Sequence, residues 1–370
     1  MKTLRRIVAL GGEILLWATG IATVAGFASD RAWLFDLCAA FRPVYFLVQT
    51  AGATWLAFRR RWFGALTAVV LLGINSLQML PLYVSRPEQS TRPNSSTGGN
   101  PVGNRDAHDV ESAALASGAP ETEAGKGASG TTSFGTRLRV VQLNLAFKTR
   151  TLDKVVAFLR RTHADLVGLQ EVGSTSWQYL DKHLAEEFPY RFAFPLDTAA
   201  GLAILSKQPF REPNLEYFAD PGLPSIVTEI HLTLPPAAAG QPAETVPVGI
   251  VVTHPLSPTT SYGYRLRDAQ LREIARHRSK LPDRMIVLGD LNITSWSAAF
   301  GKLLADTGLR DTRVGFGVQP SWPALGLANL ALVPIDHVLV SHHFRVVDRR
   351  IGTYVGSDHL PVIAELEIEF

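Results

Sequence analysis

The chain of 370 residues contains a single cysteine, Cys38, and only three methionines. One thiol excludes an intrachain disulfide and a cysteine-based metal site. Cys38 lies in an apolar segment, where a lone thiol is typical of inert packing. No HExxH-type pair occurs in the sequence, which argues against a zinc peptidase.

The C-terminal two-thirds of the chain also lack a surplus of either charge. Residues 137–370 contain 24 Lys and Arg and 24 Asp and Glu, so their formal net charge is zero. The net charge of +3 of the whole chain therefore arises before residue 137. Since a nucleic-acid-binding domain usually carries its own basic surplus, this neutrality weakens a nuclease interpretation without excluding it.

Three apolar stretches follow one another near the N-terminus, at about residues 7–28, 33–58 and 62–84. Each approaches or exceeds the roughly 20 residues that a helix needs to cross a bilayer. They predict about three transmembrane helices. Glu13, Asp36 and Arg42 interrupt the stretches, and we expect them near an interface or facing neighbouring helices, because charge inside a span is costly.

Basic residues predict the orientation of these helices. Lys2, Arg5 and Arg6 precede the first stretch, and 59–61 is a run of three arginines between the second and third. The positive-inside rule places both groups in the cytoplasm. Three crossings then make the chain a multi-pass protein of the cell (inner) membrane, with the lipid bilayer as a partner and everything after Val84 extracytoplasmic. A cleaved signal peptide and a soluble helical hairpin are the alternatives.

Composition changes twice along the chain and predicts three regions. Residues 1–84 form the transmembrane region. Residues 85–136 are rich in Ser, Thr, Gly, Pro, Ala and Asn and lack apolar periodicity, which predicts a disordered low-complexity linker. Residues 137–370 resemble an ordinary globular domain.

The C-terminal region alternates between strand and helix patterns. Apolar, β-branched runs predict strands at 139–145, 165–170, 202–205, 226–234, 246–252, 284–289, 335–340 and 362–368. Helical spacing of apolar residues predicts helices at 151–162, 263–280 and 297–307. Interleaved helices and strands with strand-rich stretches indicate an α/β fold of two packed sheets flanked by helices.

Polar residues with chemical potential follow several of the predicted strands. They are Asn144, Gln170, Glu171, His254, Asp290, Asn292, Asp336, Asp358 and His359. Singly, each has a structural explanation: Asp290 suits a helix cap, Asp336 a turn, and His254 a hydrogen-bonded core histidine. Strand ends present side chains to a shared cleft, and these nine residues fall in six separate segments of one domain, which favours a common site.

The residue types indicate the chemistry of that site. Carboxylates and amides without thiolates suit a hard divalent cation, Mg²⁺ or Mn²⁺. Histidines can donate or accept protons beside a phosphoryl group. Hydrolysis of a phosphate ester requires neutralised oxygens and an activated water, so the set predicts a metal-dependent phosphoesterase.

The ordered motifs QLNL, LQEV, GLAILS, THP, GDLN, SW, IDHVLVS and GSDHLP lie in the region 137–370. In this order they resemble the endonuclease/exonuclease/phosphatase (deoxyribonuclease-I-like) superfamily, here as a membrane-anchored bacterial-type member. The resemblance implies a four-layered α/β sandwich, with two mixed sheets face to face, helices outside, and the active site at one end. It also implies a catalytic domain at 137–370.

The resemblance assigns roles to the metal-binding positions. Glu171 would be the principal metal ligand, and Asn144 would lie beside it or contact phosphate. Asp358 would be a further metal-binding or supporting carboxylate.

The remaining positions would carry the catalysis. Asp290 would orient or deprotonate the attacking water, and Asn292 would bind a phosphate oxygen. His359, with its ring held by Asp336, would contact the scissile phosphate and act in acid–base or transition-state stabilisation. His254 would donate to the phosphate or the leaving group.

The motifs identify the chemistry and leave the substrate open. A phosphodiester or phosphomonoester of nucleic-acid or phospholipid type fits, and neutral charge with a membrane anchor favours lipid. No obligate protein partner is indicated. The alternative is a catalytically silent binding or scaffold module on the same fold, and a transporter is disfavoured because the spans are few and show no inverted repeat.

Two further groups of residues fall outside the motifs. Six basic residues in 263–280 spread around several helix faces and predict a solvated helix, with Arg267 as the exception because it follows the His254 loop closely. His337, His342 and His343 match no functional position and are expected to be surface or structural residues.

Overall fold

A computed structural model describes residues 2–84, 136–147, 149–234, 236, 242–325 and 330–368, and the side chains of 2–9 are not included. The predicted linker at 85–136 lies outside the described residues except for Thr136. The N-terminal helices and the C-terminal domain belong to one structural unit, which comprises Met1–Ser85 and Phe134–Phe370.

The N-terminal region contains the helices α1 (Lys2–Ala25), α2 (Trp33–Ala40), α3 (Arg42–Phe58) and α4 (Trp62–Met79). Among the described residues, two segments are long and apolar enough to cross a membrane, Leu10–Ala28 and Trp62–Leu82. The predicted span at 33–58 is not one helix, because it breaks at Phe41 between α2 and α3. Pro43 lies in the first turn of α3, where its missing N–H needs no partner. The prediction of three continuous spans is therefore not confirmed.

A buried polar network joins three of these helices. The Asn75 side-chain amide on α4 donates to Thr23 Oγ1 on α1 and to Gln49 Oε1 on α3, each at 2.9 Å. Arg42 Nη1 donates to Asn75 Oδ1 at 3.1 Å. Unpaired polar groups between apolar helices are costly, so these bonds hold the helices in one arrangement. Arg42 faces neighbouring helices, as expected from the sequence.

The C-terminal domain consists of strands and helices in alternation. Its strands are β1 (Arg137–Asn144), β2 (Leu166–Gln170), β3 (Tyr190–Phe194), β4 (Leu202–Ser206), β5 (Asn214–Glu216), β6 (Ser225–Leu234), β7 (Glu244–Thr253), β8 (Met285–Asp290), β9 (Arg310–Asp311), β10 (Asp336–Val340), β11 (Phe344–Ile351) and β12 (Val362–Ile368). Its helices are α5 (Leu152–Thr162), α6 (Ser174–His183), α7 (Ser261–His277) and α8 (Ala298–Thr307).

The strands form two mixed sheets of six. One has the order β11-β12-β1-β2-β4-β3, and the other has the order β5-β6-β7-β8-β10-β9. In each sheet one central pair is parallel, β1 with β2 and β7 with β8, while the remaining pairs are antiparallel. The carboxyl ends of the two strands of a parallel pair lie at the same edge, which gathers the residues that follow them.

The main core lies between the sheets. Alternate residues of the central strands, such as Val140, Leu166, Ile250 and Leu288, are fully buried there. A second apolar cluster packs α5 and α6 on the outer face of the first sheet, and a third packs α7 and α8 on the second. The predicted two packed mixed sheets with flanking helices are confirmed.

Candidate active site

The candidate residues lie where central strands of both sheets end. Asn144 is the last residue of β1, and Glu171 directly follows β2. In the other sheet Asp290 ends β8, and Asp336 begins the antiparallel β10 as its direct partner in the register. Glu171 and Asn292 have positive φ angles of 57° and 50°, an uncommon conformation that is often associated with functional sites.

Asn144 forms hydrogen bonds with the carboxylates of both Glu171 and Asp290. Its Nδ2 donates to Glu171 Oε1 at 3.0 Å and to Asp290 Oδ2 at 3.1 Å. The other oxygen of Glu171 accepts the backbone N–H of Phe147 at 2.8 Å. Among the described residues, no Lys or Arg forms a salt bridge with either carboxylate. Two acidic side chains thus meet around one amide.

Asp336 and His359 form a buried pair. His359 Nδ1 lies 2.9 Å from Asp336 Oδ2, and its Nε2 lies 3.6 Å from Asp290 Oδ2. Burial alone would lower the pKa of His359, but the carboxylates of Asp336 and Asp290 outweigh it and raise the pKa to about 9. The imidazole is therefore protonated at neutral pH, with Nε2–H directed to the centre of the site.

His254 is a second histidine close to Asp290. Its Nδ1 donates to the carbonyl of Ala199 at 3.1 Å, and Nε2 lies 3.4 Å from Asp290 Oδ2. Burial opposes the charged form, but the hydrogen bond and charge of Asp290 raise the pKa of His254. For Asp290, burial acts to raise the pKa, but the charges of His359 and His254 outweigh it and lower the pKa to about 2. Asn292 Nδ2 donates to Pro255 O at 3.0 Å, which holds this amide beside His254.

Asp358 lies apart from the other carboxylates. Its Oδ2 accepts the indole N–H of Trp322 at 3.3 Å, and the residue is exposed. Its charge contributes to the raised pKa of His359. The structure therefore places Asp358 beside the histidine, with no described contact to Glu171 or Asn144.

Three supporting residues were missed by sequence reasoning. Gln142 Nε2 donates to Asp336 Oδ1 at 2.9 Å and to Gln170 Oε1 at 2.7 Å. Ser357 Oγ donates to Asn144 O at 2.7 Å and accepts the N–H of His359 at 3.0 Å. Trp322 stacks obliquely 6.3 Å from the His359 ring. These three residues lie in the motifs QLNL, GSDHLP and SW, respectively, so membership of a motif was the sequence signal that could have identified them.

The residues fit a hard divalent cation. Asp290, Asp336 and His359 have potential ligand atoms within 4.8 Å of one another. However, Asp336 and the protonated His359 already satisfy each other, and an imidazolium has no lone pair to offer a metal. Glu171 and Asp290 supply carboxylate oxygens without a fixed cation, and these are ligands that Mg²⁺ or Mn²⁺ prefers. Asn144 turns its amide Nδ2 to both carboxylates while its Oδ1 accepts the backbone N–H of Ala146 at 2.9 Å, so it lies beside the candidate ligand Glu171.

Part of the site lines a cavity of about 530 Å³. Its polar side, called the floor below, is formed by Glu171, His254, Asp290, Asn292 and His359. The walls are mostly apolar, and some come from the N-terminal helix α2. A cavity of this volume lies in the usual range of small-molecule sites.

A family model described as "Endonuclease/Exonuclease/phosphatase family" matches residues 141–359. The chain therefore belongs to the endonuclease/exonuclease/phosphatase family, whose members are metal-dependent hydrolases of phosphate esters. No curated protein matches the sequence significantly.

Several solved structures are similar to this chain. An endonuclease/exonuclease/phosphatase from Bacteroides vulgatus is 20% identical, with a TM-score of 0.48 over 63% of this chain and 100% of its own. One from Beutenbergia cavernae is also 20% identical, with a TM-score of 0.48 over 63% and 72%. D. rerio TDP2 complexed with single strand DNA product is 17% identical, with a TM-score of 0.48 over 63% and 99%.

Proposed function

We propose that this protein is a membrane-anchored phosphoesterase that hydrolyses a phosphodiester or phosphomonoester outside the cytoplasm with the help of Mg²⁺ or Mn²⁺. The observation that carries the proposal is the meeting of Asn144, Glu171, Asp290 and two histidines at the ends of paired strands. Each group has a partner that orients it, which is the condition for a preorganised catalytic site.

Glu171 is the principal metal ligand of this proposal, Asn144 lies beside it and orients its carboxylate, and Asp358 is a supporting carboxylate beside His359. A bound divalent cation would neutralise charge on the phosphoryl group and favour ionisation of a water. The hydrogen bonds of Glu171 to Phe147 N–H and to Asn144 fix the direction of its carboxylate before a ligand arrives.

The catalytic residues then act on the ester itself. Asp290 is ionised, since its pKa is lowered to about 2, and it orients or deprotonates the attacking water. The Nε2–H of His359 donates to a phosphoryl oxygen, while Asp336 holds the opposite ring nitrogen. His254 donates to the phosphate or the leaving group, and Asn292 binds a phosphoryl oxygen.

The anchor is proposed from the apolar helices and their contacts. Tyr264 donates to the Ser29 carbonyl at 3.1 Å, and the backbone N–H groups of Gly315 and Gly317 donate to Leu82 O at 2.8 Å. The end of α1 and the end of α4 therefore contact the same domain. This supports placing both ends on the domain's side of the bilayer and the arginines at 59–61 on the cytoplasmic side.

Glu171→Gln tests the enzyme assignment. It removes a ligand charge at nearly constant size, so turnover should fall by about 10²-fold or more. The measurement is hydrolysis by the full chain in detergent with Mg²⁺, against DNA, RNA, phospholipid and small phosphodiesters in parallel.

The exposed Glu186 supplies a matched control, since Glu186→Gln makes the same chemical change away from the site and should retain activity. Full activity in excess EDTA would contradict the metal requirement. Metal binding without hydrolysis of any of these esters would favour the silent scaffold module instead.

A further inference from the structure

Helix α2 is attached to the C-terminal domain by buried polar contacts. The Asp36 carboxylate accepts from Arg267 Nη1 and from Ser297 Oγ, each at 2.6 Å. The Arg267 side chain is fully buried, and that of Asp36 is 5% exposed. The Trp296 indole N–H also donates to the carbonyl of Ala39. Since a buried charge is tolerated only when paired, these contacts specify where α2 sits.

The same contacts connect α2 to the active site. Arg267 Nη1 donates to the backbone carbonyl of Asn292 at 3.1 Å as well as to Asp36. Leu37, Ala40 and Phe41 line the cavity whose floor is the active site. A helix from the apolar N-terminal region therefore forms one wall of the candidate substrate site.

The chemistry of the walls distinguishes between substrate classes. Leu223, Ile293 and Val333 add further apolar surface from the C-terminal domain. No Lys or Arg is among the described residues that line the cavity. A nucleic acid brings several neighbouring phosphates, and proteins bind them mainly with Lys and Arg. A single phosphate next to an apolar group matches the polar floor and apolar walls.

We propose that α2 binds the apolar part of an amphiphilic phosphate ester, so that the substrate is a lipid-type ester drawn from the membrane. Assignment of this ligand as a substrate rests on the proposed function. Leu34 and Phe35 on α2 are 54% and 38% exposed, and Phe27 nearby is 55% exposed. An exposed apolar patch next to the cavity suits contact with a bilayer that supplies such a ligand.

Binding of alkyl phosphonates from methyl to hexyl tests the wall without requiring turnover. The full chain would be studied in lipid nanodiscs with Mg²⁺, and empty nanodiscs would correct for partitioning. Each methylene that leaves water should lower Kd roughly two- to fourfold. A Kd that is independent of chain length, or tighter binding of a short oligonucleotide than of hexyl phosphonate, would overturn the proposal.

Variants of α2 locate the effect. Leu37→Gln should weaken the dependence of Kd on chain length, and Ala40→Trp should abolish the gain for the longer chains by filling the cavity. Leu10→Gln makes the same change at an exposed residue of α1 that does not line the cavity, and it should leave the dependence as in wild type. The two cavity variants act by different means, so misfolding of one leaves the other as a test. An unchanged dependence in a folded cavity variant would exclude α2 as the binding wall.

Hydrolysis of p-nitrophenyl alkyl phosphodiesters of the same chain lengths separates this inference from the enzyme assignment. We expect kcat/KM to rise with chain length in wild type. Chain-length-dependent binding without metal-dependent hydrolysis would overturn the proposed function and retain the lipid-binding wall. Hydrolysis with no effect of chain length on either Kd or kcat/KM would retain the enzyme and remove the wall.

Discussion

At the residue scale, the charged neighbours of a buried histidine decide whether it is protonated. His359 and His337 are both buried histidines, and burial lowers the pKa of each. His359 has two carboxylates beside it, which reverse the effect and raise its pKa to about 9. His337 has Arg313 nearby, which adds to the effect of burial, and its pKa falls to about 3. One is a charged donor, and the other is a neutral part of the core.

Asp336→Asn tests the pair at the active site. The change removes the charge that stabilises the His359 imidazolium, so the pKa of His359 should fall and turnover should drop steeply while the fold survives. A turn-forming Asp would tolerate Asn well. Because residues that act as a unit are non-additive, His359→Ala should cost little more in the Asp336→Asn background.

The measurement for this pair is a double-mutant cycle on the turnover rate of the full chain. Losses that simply multiply, or an Asp336→Asn variant with wild-type turnover, would show that the two residues act separately.

His337 should make the fold sensitive to acid. Its Nε2–H donates to the carbonyl of Ile293 at 2.8 Å, and its folded pKa of about 3 lies below the ordinary 6.5. Between these values the unfolded chain binds the extra proton, so stability is complete above pH 6.5 and declines as the pH falls towards 3. His337→Gln cannot titrate, so its melting temperature should depend less on pH than that of wild type below pH 6.5. Parallel pH profiles of the two proteins would contradict this.

At the element scale, agreement with the sequence depended on how strongly an element is buried. The eight predicted strands and three predicted helices all occur. The strands carry apolar runs, and the helices carry apolar residues at helical spacing. Helix α6 and the four edge strands β3, β5, β9 and β11 were missed. Strand β11 contains Arg345 and Asp348 and is only partly buried, so its pairing with β12, which sequence patterns do not report, defines it as a strand.

Helix α2 shows the same limit for the middle span. Its composition suggested the first half of a transmembrane helix, and Asp36 was expected near an interface or against another helix. The carboxylate does face a helix, since it pairs with Arg267 of α7, but that helix belongs to the C-terminal domain. Arg267 was predicted to be the exception among the basic residues of a solvated helix, and it is fully buried.

Asp36→Asn should loosen α2 from the domain. Breaking a buried ion pair costs about 3–5 kcal/mol, and Asp268, which also pairs with Arg267, should offset part of that cost. We expect a lower melting temperature and weaker chain-length discrimination. Asp30→Asn removes a neighbouring exposed charge and serves as the control. Equal melting temperatures of the two variants would show that the pair contributes nothing.

At the scale of the whole molecule, the proposed orientation makes a direct prediction. A phosphatase reporter fused after Phe370 should be active outside the cytoplasm, and one fused after Arg61 should be inactive there. In the proposed orientation the positive loop at 59–61 lies in the cytoplasm and α4 crosses the membrane, which places the two reporters on opposite sides. The reverse pattern of reporter activity would show that the spans were miscounted.

The sequence by itself determined the family, the strand-and-helix pattern and the candidate residues at the strand ends. These depend on apolar periodicity and short motifs, which are local features that can be recognised in the sequence. Only the tertiary structure decided that Asp290 and Asp336 are direct partners on the adjacent strands β8 and β10. It also decided that Asp358 accepts a hydrogen bond from Trp322 and that α2 lines the cavity. Such contacts join residues far apart in the chain, and packing and charge pairing select them after the elements have formed.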